Sequence, residues 1–157
     1  MKSSTTVLAT AGILAVCVFA IAVLAENNNN ADSASPADTV ATAARIERGR
    51  YIVHGVGLCI DCHSPRNEKG EFLPGKELTG SPLPFLPAVP MPWAAAAPRI
   101  AGIPAGYSAE DMVHFLMTGE RPHGLPAPLP PMPPYRMNRD DAEAVVAYVR
   151  TLPTGQP

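Results

Sequence analysis

The segment Cys59-Ile60-Asp61-Cys62-His63 contains the residues of this chain best suited to chemistry. Cys-x-x-Cys-His is the attachment signature of c-type haem. In a helical turn, cysteines three residues apart lie on one face, so both thiols can form thioethers with the vinyl groups of one porphyrin. The histidine follows on the same face, where its imidazole can ligate the iron. The motif predicts one covalently bound haem c on Cys59 and Cys62, with His63 as the proximal iron ligand.

Three other readings of a Cys-x-x-Cys pair have less support. A structural zinc site needs four ligands, but no cysteine follows Cys62, and His54, His114 and His123 are scattered. A thioredoxin-like dithiol would accompany a βαβ pattern, and the sequence shows no such pattern of strands. A disulfide across two residues would remove little loop entropy. Haem attachment is therefore the favoured interpretation.

The N-terminus contains an apolar run over residues 7–25. As a helix it would span about 28 Å, close to the hydrocarbon thickness of a bilayer. Small residues before Glu26 suit signal-peptidase cleavage, so we assign residues 1–25 to a signal peptide or N-terminal membrane anchor and favour cleavage. Cys17 inside this run is expected to be a membrane-buried thiol. We expect a periplasmic protein, tethered to the inner membrane if the run is retained.

Residues 26–38 are polar and contain no large apolar side chain. Such a segment cannot bury a core, so we expect a disordered linker before a domain at 39–157. The formal net charge is −2, and loss of Lys2 with the leader leaves 11 basic against 14 acidic residues. This charge excludes a strongly basic nucleic-acid binder.

Hydrophobic periodicity and capping residues predict three helices in the domain. The first covers residues 39–53. The second begins after Ser108, with Asp111 three residues later, and ends at Gly119. The last begins after Asn138 and is stopped by Pro153.

Residues 81–134 contain 14 of the 19 prolines. Apart from the helix after Ser108, which interrupts the segment, this density excludes regular helix and central strand. The segment also carries apolar residues, which indicates that it wraps a hydrophobic object such as a haem: Leu83, Phe85, Leu86, Val89 and Trp93. The sequence therefore predicts an all-α domain of three to four helices with long proline-rich loops.

The order of these elements resembles the class I cytochrome c fold over residues 40–153. The closer likeness is to single-haem cytochromes c related to the cytochrome subunits of bacterial periplasmic dehydrogenases. The motifs that carry it are Gly-Arg-Tyr-Ile-Val before the cysteines, Cys-His-Ser-Pro-Arg-Asn, Leu78-Thr79-Gly80, Tyr-Ser-Ala-Glu-Asp at 107–111, and Pro-Pro-Met-Pro-Pro-Tyr-Arg-Met through Tyr-Val-Arg-Thr-Leu-Pro. The resemblance implies that the first and last helices cross, with Gly49 approaching the Ala147–Tyr148 region.

The resemblance also implies that Met132 is the distal iron ligand. Met/His ligation raises the reduction potential of haem iron. Met112 is expected to pack in the core, while a second histidine ligand (His54, His114 or His123) remains an alternative. One departure is the apolar stretch 94–103, which replaces the family's Asn-x-Thr-Pro-Asp segment and leaves the haem-propionate contacts undefined.

Three further side chains are candidates for contact with the propionates. Trp93 has an indole N–H that can donate a hydrogen bond, although a packed aromatic ring is the favoured interpretation. Arg66 and Arg99 have suitable charge, but exposed arginines seldom form specific pairs.

The resemblance implies an electron-transfer protein rather than an enzyme. It would accept electrons from a dehydrogenase or quinol-oxidising complex and pass them to a terminal oxidase. Two alternatives remain open: a five-coordinate haem sensor or peroxidase-like enzyme using His114 or His123 as acid/base group, and an accessory cytochrome component of a dehydrogenase complex.

Overall fold

The computed structural model describes residues 35–154, which contain four α-helices: α1 Pro36–Tyr51, α2 Cys59–His63, α3 Ala109–Thr118 and α4 Arg139–Val149. A π-helical turn at Ile52–Val56 continues α1, and a 3₁₀ turn at Pro122–Gly124 follows α3. Two short strands, β1 Ser81–Pro82 and β2 Ala96–Ala97, complete the secondary structure of this region. The predicted all-α class with three to four helices is confirmed.

Helix α1 begins three residues before its predicted start. Proline suits the first helical position, where no intrahelical N–H bond is lost, and the Ala37 N–H donates to Ser35 Oγ at 3.3 Å. Residues 36–38, assigned above to the linker, are therefore helical. The predicted leader and the remainder of the linker lie outside the described residues. No helix within residues 35–154 is long and apolar enough to cross a membrane.

The capping residues of α3 and α4 behave as predicted. Ser108 and Asp111 form a reciprocal capping box, and Gly119 ends α3 in the left-handed conformation with φ of 79°. Asn138 Oδ1 accepts the Asp141 N–H at 2.8 Å. Helix α4 ends at Val149, four residues before Pro153, because proline has no N–H to donate to the Val149 carbonyl. That carbonyl accepts the N–H of a loop residue, Gly102, at 2.8 Å.

Helices α1 and α4 approach each other at a glycine. A Cβ atom at Gly49 would lie 2.5 Å from the Ala144 carbonyl carbon and 2.8 Å from Tyr148 Cβ. An ion pair between Arg48 and Asp141, with 2.8 Å from Nε to Oδ1, joins the same two helices. This confirms the predicted role of Gly49, with Ala144 and Tyr148 as its partners.

The core lies where α4 meets α3 and the π-helical turn. Its buried side chains come from all of these elements and include Val53, Met112, Val113, Leu116, Val145 and Val149. Cys59 and Ile60 of α2, the helix that carries the cysteine motif, belong to the same cluster.

The proline-rich segment contains a short antiparallel ribbon. Ser81 pairs with Ala97 and Pro82 with Ala96, and the Leu83 N–H donates to the Ala95 carbonyl at 3.0 Å. Proline is tolerated here because it lies in an edge strand, where a missing N–H removes no hydrogen bond from a central ladder. The ribbon fixes the two ends of the loop between residues 83 and 95.

Candidate haem site

Helix α2 consists of the five residues of the cysteine motif. It is preceded by Leu58, whose φ of 53° and ψ of 29° place it in the left-handed region. A non-glycine residue rarely adopts this conformation, and here it turns the chain sharply from the π-helical turn into α2. Cys59, Cys62 and His63 then line one cavity.

His63 is buried, and its Nδ1 lies 2.6 Å from the Pro98 carbonyl oxygen. A carbonyl oxygen only accepts hydrogen bonds, so Nδ1 carries the proton and donates it. Burial lowers the pKa of His63 below its ordinary value, which keeps the imidazole neutral near pH 7. The Nε2 lone pair is therefore free to ligate a metal, and the Pro98 contact fixes the orientation of the ring.

Gly80 helps to keep the Pro98 carbonyl within hydrogen-bonding distance of His63. Its N–H donates to the His63 carbonyl at 2.7 Å, and a Cβ atom on it would lie 2.9 Å from the Arg99 backbone nitrogen. Its φ of 91° also favours glycine. A residue without a side chain at this position therefore allows the Pro98 carbonyl to reach His63.

Met132 lies in the proline-rich loop and lines the same cavity as α2. Its N–H donates to the Leu129 carbonyl at 3.3 Å, and the neighbouring Pro130 carbonyl accepts the Ala94 N–H at 2.8 Å. Tyr135, three residues further on, donates its hydroxyl hydrogen to the Gly57 carbonyl. The loop is therefore tied to the body of the protein on both sides of Met132.

Cys59, Cys62, His63 and Met132 all line one cavity of about 610 Å³. This volume is within the range of about 300–1,000 Å³ typical of cofactor and ligand sites. Most of the other lining side chains are apolar, among them Val53, Ile100, Phe115, Leu116, Val145 and Val149. Two thiols, one imidazole with a free nitrogen and one thioether at a large apolar cavity fit a covalently bound haem.

The two thiols are free, with Cys59 buried and Cys62 partly buried. Burial raises the pKa of the Cys59 thiol above its ordinary value. Within the described part of the chain, no three Cys, His, Asp or Glu side chains are grouped so as to hold a metal ion. The zinc alternative finds no supporting ligands there.

The other three histidines lie away from the cavity lining. His54 Nε2 is 2.8 Å from the Tyr148 hydroxyl, and His114 Nε2 is 3.3 Å from a Glu120 carboxylate oxygen. His123 is exposed and also outside the lining. The structure therefore does not bring any of them together with His63.

Met112 does line the cavity, but it extends from α3 into the hydrophobic core. It is buried, as expected for a packing residue. Of the methionines in the described residues, Met112 and Met132 are those at the cavity, and Met132 lies outside the core cluster.

Of the two arginines named as candidates for contact with the propionates, only Arg99 lies at the cavity. Arg99 lines the cavity and also donates to the Ala101 carbonyl at 3.2 Å. Arg66 does not line it and pairs with Asp61 at 2.8 Å. Arg121, which the sequence did not single out, lines the cavity and donates to the Tyr107 hydroxyl at 3.0 Å.

Trp93 packs edge-on against Phe85, with ring centroids 6.1 Å apart. This contact agrees with the expected packed aromatic. Its Nε1 is nevertheless buried and has no hydrogen-bond partner among the described residues. Trp93 does not line the cavity, so the structure does not bring its indole N–H to the site.

The sequence did not identify Pro98, Gly80 or Tyr135 as site residues. Gly80 and Tyr135 lie in motifs that carry the family resemblance, but their roles depend on contacts with distant segments. Pro98 acts through its backbone carbonyl, which leaves no signal in residue type.

Comparison with known proteins identifies a family and two relatives. The family model described as Cytochrome c matches residues 46–153. A diheme cytochrome c-type protein of Cereibacter sphaeroides is 35% identical over 80 residues, which are 51% of this chain and 25% of that protein. The second relative is one of the subunits of nicotinate dehydrogenase from Pseudomonas putida. It is 32% identical over 130 residues, and the match covers 73% of this chain and 10% of that protein.

This chain thus spans a quarter of one relative and a tenth of the other, and both are longer proteins. The family match, in contrast, extends from the second half of α1 through all of α4 and includes the whole cavity. Together with the helical fold and the cysteine motif on its cavity, it shows that the chain belongs to the cytochrome c family.

Proposed function

We propose that this protein is a single-haem electron carrier with Cys59 and Cys62 as covalent attachment sites and His63 and Met132 as iron ligands. One haem is proposed because the sequence contains one Cys-x-x-Cys-His motif and only one further cysteine, Cys17. The observation that carries the proposal is the position of all four side chains on the same cavity.

The haem, when bound, supplies the change between ferrous and ferric iron. The protein binds it, orients it and excludes water from it. The Pro98 carbonyl holds the His63 ring, and the apolar lining lowers the local polarity. The prolines beside Met132 restrict the backbone, so this ligand loses little entropy on binding.

The same geometry disfavours the peroxidase-like alternative. That function needs an open distal position and an acid/base side chain within reach of it. His114 and His123 are both outside the cavity lining. Met132, by contrast, lines the cavity and can close the distal position.

Partners and location are part of the proposal. We infer that electrons come from a dehydrogenase or quinol-oxidising complex and pass to a terminal oxidase in the bacterial cell envelope. One relative is named as part of a nicotinate dehydrogenase, which supports a dehydrogenase as donor. The apolar run at residues 7–25 supports export to the periplasm, with or without a retained tether.

The ligand set is tested by the absorption spectrum of the purified ferric protein. A near-infrared band from methionine sulfur to iron is expected in the wild type and is expected to disappear in Met132→Ala. Met112→Leu is the matched control, because Met112 is the other methionine at the cavity and leucine conserves volume. A wild type without the band that readily binds carbon monoxide would refute six-coordinate ligation. Loss of the band in Met112→Leu would assign the ligand to Met112.

A second candidate, an accessory component of a dehydrogenase complex, is favoured by the loop at residues 84–92, which we call the apolar tip. Leu86 is 85% exposed and Val89 63%, and no charged residue occurs between Glu77 and Arg99. An exposed apolar surface of this kind is typical of protein interfaces. The apolar tip would pack against an uncharged apolar surface of the dehydrogenase.

The accessory role is tested by whether the cytochrome co-elutes with a dehydrogenase activity in gel filtration of solubilised cells. Leu86→Glu is expected to separate the two. Val40→Glu is the control, since Val40 is also well exposed (69%) but lies on α1. Elution of the wild-type cytochrome alone would refute this candidate and leave the mobile-carrier function in place.

A further inference from the structure

Tyr135 connects the Met132 loop to the segment that attaches the haem. It follows Met132 by three residues, lines the same cavity and is partly buried. Its hydroxyl donates to the carbonyl of Gly57, two residues before Cys59. One side chain therefore links the loop that contains Met132 to the segment that leads into the cysteine motif and His63.

Gly57 is a rigid acceptor for this hydrogen bond. Its N–H closes the π-helical turn by donating to the Ile52 carbonyl at 2.7 Å. A Cβ atom at Gly57 would lie 3.2 Å from the Ile52 oxygen and 3.4 Å from Cys59 Sγ. The residue is therefore anchored through its N–H and closely packed, and we expect a movement of Tyr135 to break its hydrogen bond rather than to carry Gly57 along.

The chain between Met132 and Tyr135 has little freedom. Its two residues are Pro133 and Pro134, whose rings fix φ. Holding the Tyr135 hydroxyl in place consequently limits where the Met132 backbone can lie. Two other hydrogen bonds of this loop join it to other parts of the protein. Ala94, in the loop between residues 83 and 95, donates its N–H to Pro130, and Met137 donates its N–H to Leu116 in α3.

We propose that Tyr135 is a positioning residue, whose hydroxyl holds Met132 at the distal position by fastening the loop to Gly57. The inference rests on the proposed His63/Met132 ligation. Displacement of Met132 by an external ligand requires the loop to move away from the cavity, and this movement breaks the bond from Tyr135 to Gly57. Without the hydroxyl, displacement meets less resistance.

The test is imidazole binding to the ferric holoprotein, followed by loss of the near-infrared methionine band. Tyr135→Phe keeps the ring and its packing and removes only the hydroxyl. One hydrogen bond of average net strength corresponds to about a fivefold change in an equilibrium constant. We expect imidazole to bind about fivefold more tightly to Tyr135→Phe than to the wild type.

Tyr148→Phe is the matched control. Tyr148 is buried, its hydroxyl is 2.8 Å from His54 Nε2, and it is not a cavity residue. Both variants lose one hydrogen bond and are expected to be destabilised similarly in denaturant. A purely structural role would therefore change imidazole affinity equally in both.

The outcomes separate this proposal from the one on which it rests. A wild-type band with equal imidazole affinity in wild type and Tyr135→Phe would overturn the role of Tyr135 alone. An equal increase in affinity in both variants would likewise overturn it. Absence of the methionine band from the wild type would overturn the ligand set itself, and the positioning role with it.

Discussion

Replacement of Gly49 by alanine should push α1 and α4 apart at their crossing point and destabilise the fold. The added Cβ atom would lie 2.5 Å from the Ala144 carbonyl carbon and 2.8 Å from Tyr148 Cβ. Non-bonded carbon atoms are normally about 3.5–4.0 Å apart, so the helices would have to move by about 1 Å. The nearest obstacles are backbone atoms of α4, which cannot move aside as a flexible side chain can.

The expected loss of stability follows from two opposing effects. Overpacking in a rigid contact costs up to about 3 kcal/mol. Alanine in a helix gains about 1 kcal/mol over glycine. The free energy of unfolding should therefore fall by about 2 kcal/mol, and the midpoint of thermal unfolding by roughly 10 °C.

Denaturant unfolding of the holoprotein measures this change. Gly55→Ala is the matched control, because a Cβ atom there meets only Tyr51 ring carbons, at 3.5 Å or more. Adding Ala144→Gly to Gly49→Ala should give no rescue, since the closest contact is with a carbonyl group. Equal stability of Gly49→Ala and the wild type, or full rescue by Ala144→Gly, would refute the assigned cause.

Two further predictions concern the support of His63 and the ion pair between helices. In denaturant unfolding, Gly80→Ala should be about 1–3 kcal/mol less stable than Gly75→Ala. Both glycines have a positive φ, but only at Gly80 would a Cβ atom meet backbone atoms within 4 Å. An equal loss of stability in the two variants would contradict this reasoning. The Arg48 guanidinium lowers the pKa of the Asp141 carboxyl below its ordinary value. The folded-state pKa is therefore below the unfolded one, and the contribution to stability is present above about pH 3.9 and is lost as the pH falls through the folded pKa. Asp141→Asn should lower stability at neutral pH, with a difference from wild type that shrinks in acid; a difference that stays constant down to about pH 2 would contradict the assignment.

Local patterns were sufficient to predict much of the helical structure. The caps at Ser108 and Asn138 depend on hydrogen bonds within three residues of each helix start. The start of α1 was less well predicted, because the helix begins at Pro36, three residues before the predicted start. Contacts with distant segments were not predicted: Gly102, far away in the sequence, donates its N–H to the Val149 carbonyl at the end of α4.

The sequence alone determined which residues can react. The spacing of Cys59, Cys62 and His63 places all three within one helical turn, and it predicted a haem site before any fold was known. The resemblance to the class I cytochrome c fold also assigned Gly49 to the helix crossing, where close approach of two backbones excludes a side chain.

Only the tertiary structure decided how those residues are held. The Pro98 carbonyl, Gly80 and the Tyr135 hydroxyl act on His63 or on the Met132 loop from segments that are far apart in the chain. Two of these contacts use a backbone carbonyl or N–H of the supporting residue, and nearly every residue type possesses both groups. Which backbone group meets which side chain is set by how the loops fold over the core, and residue identity at a single position does not encode that.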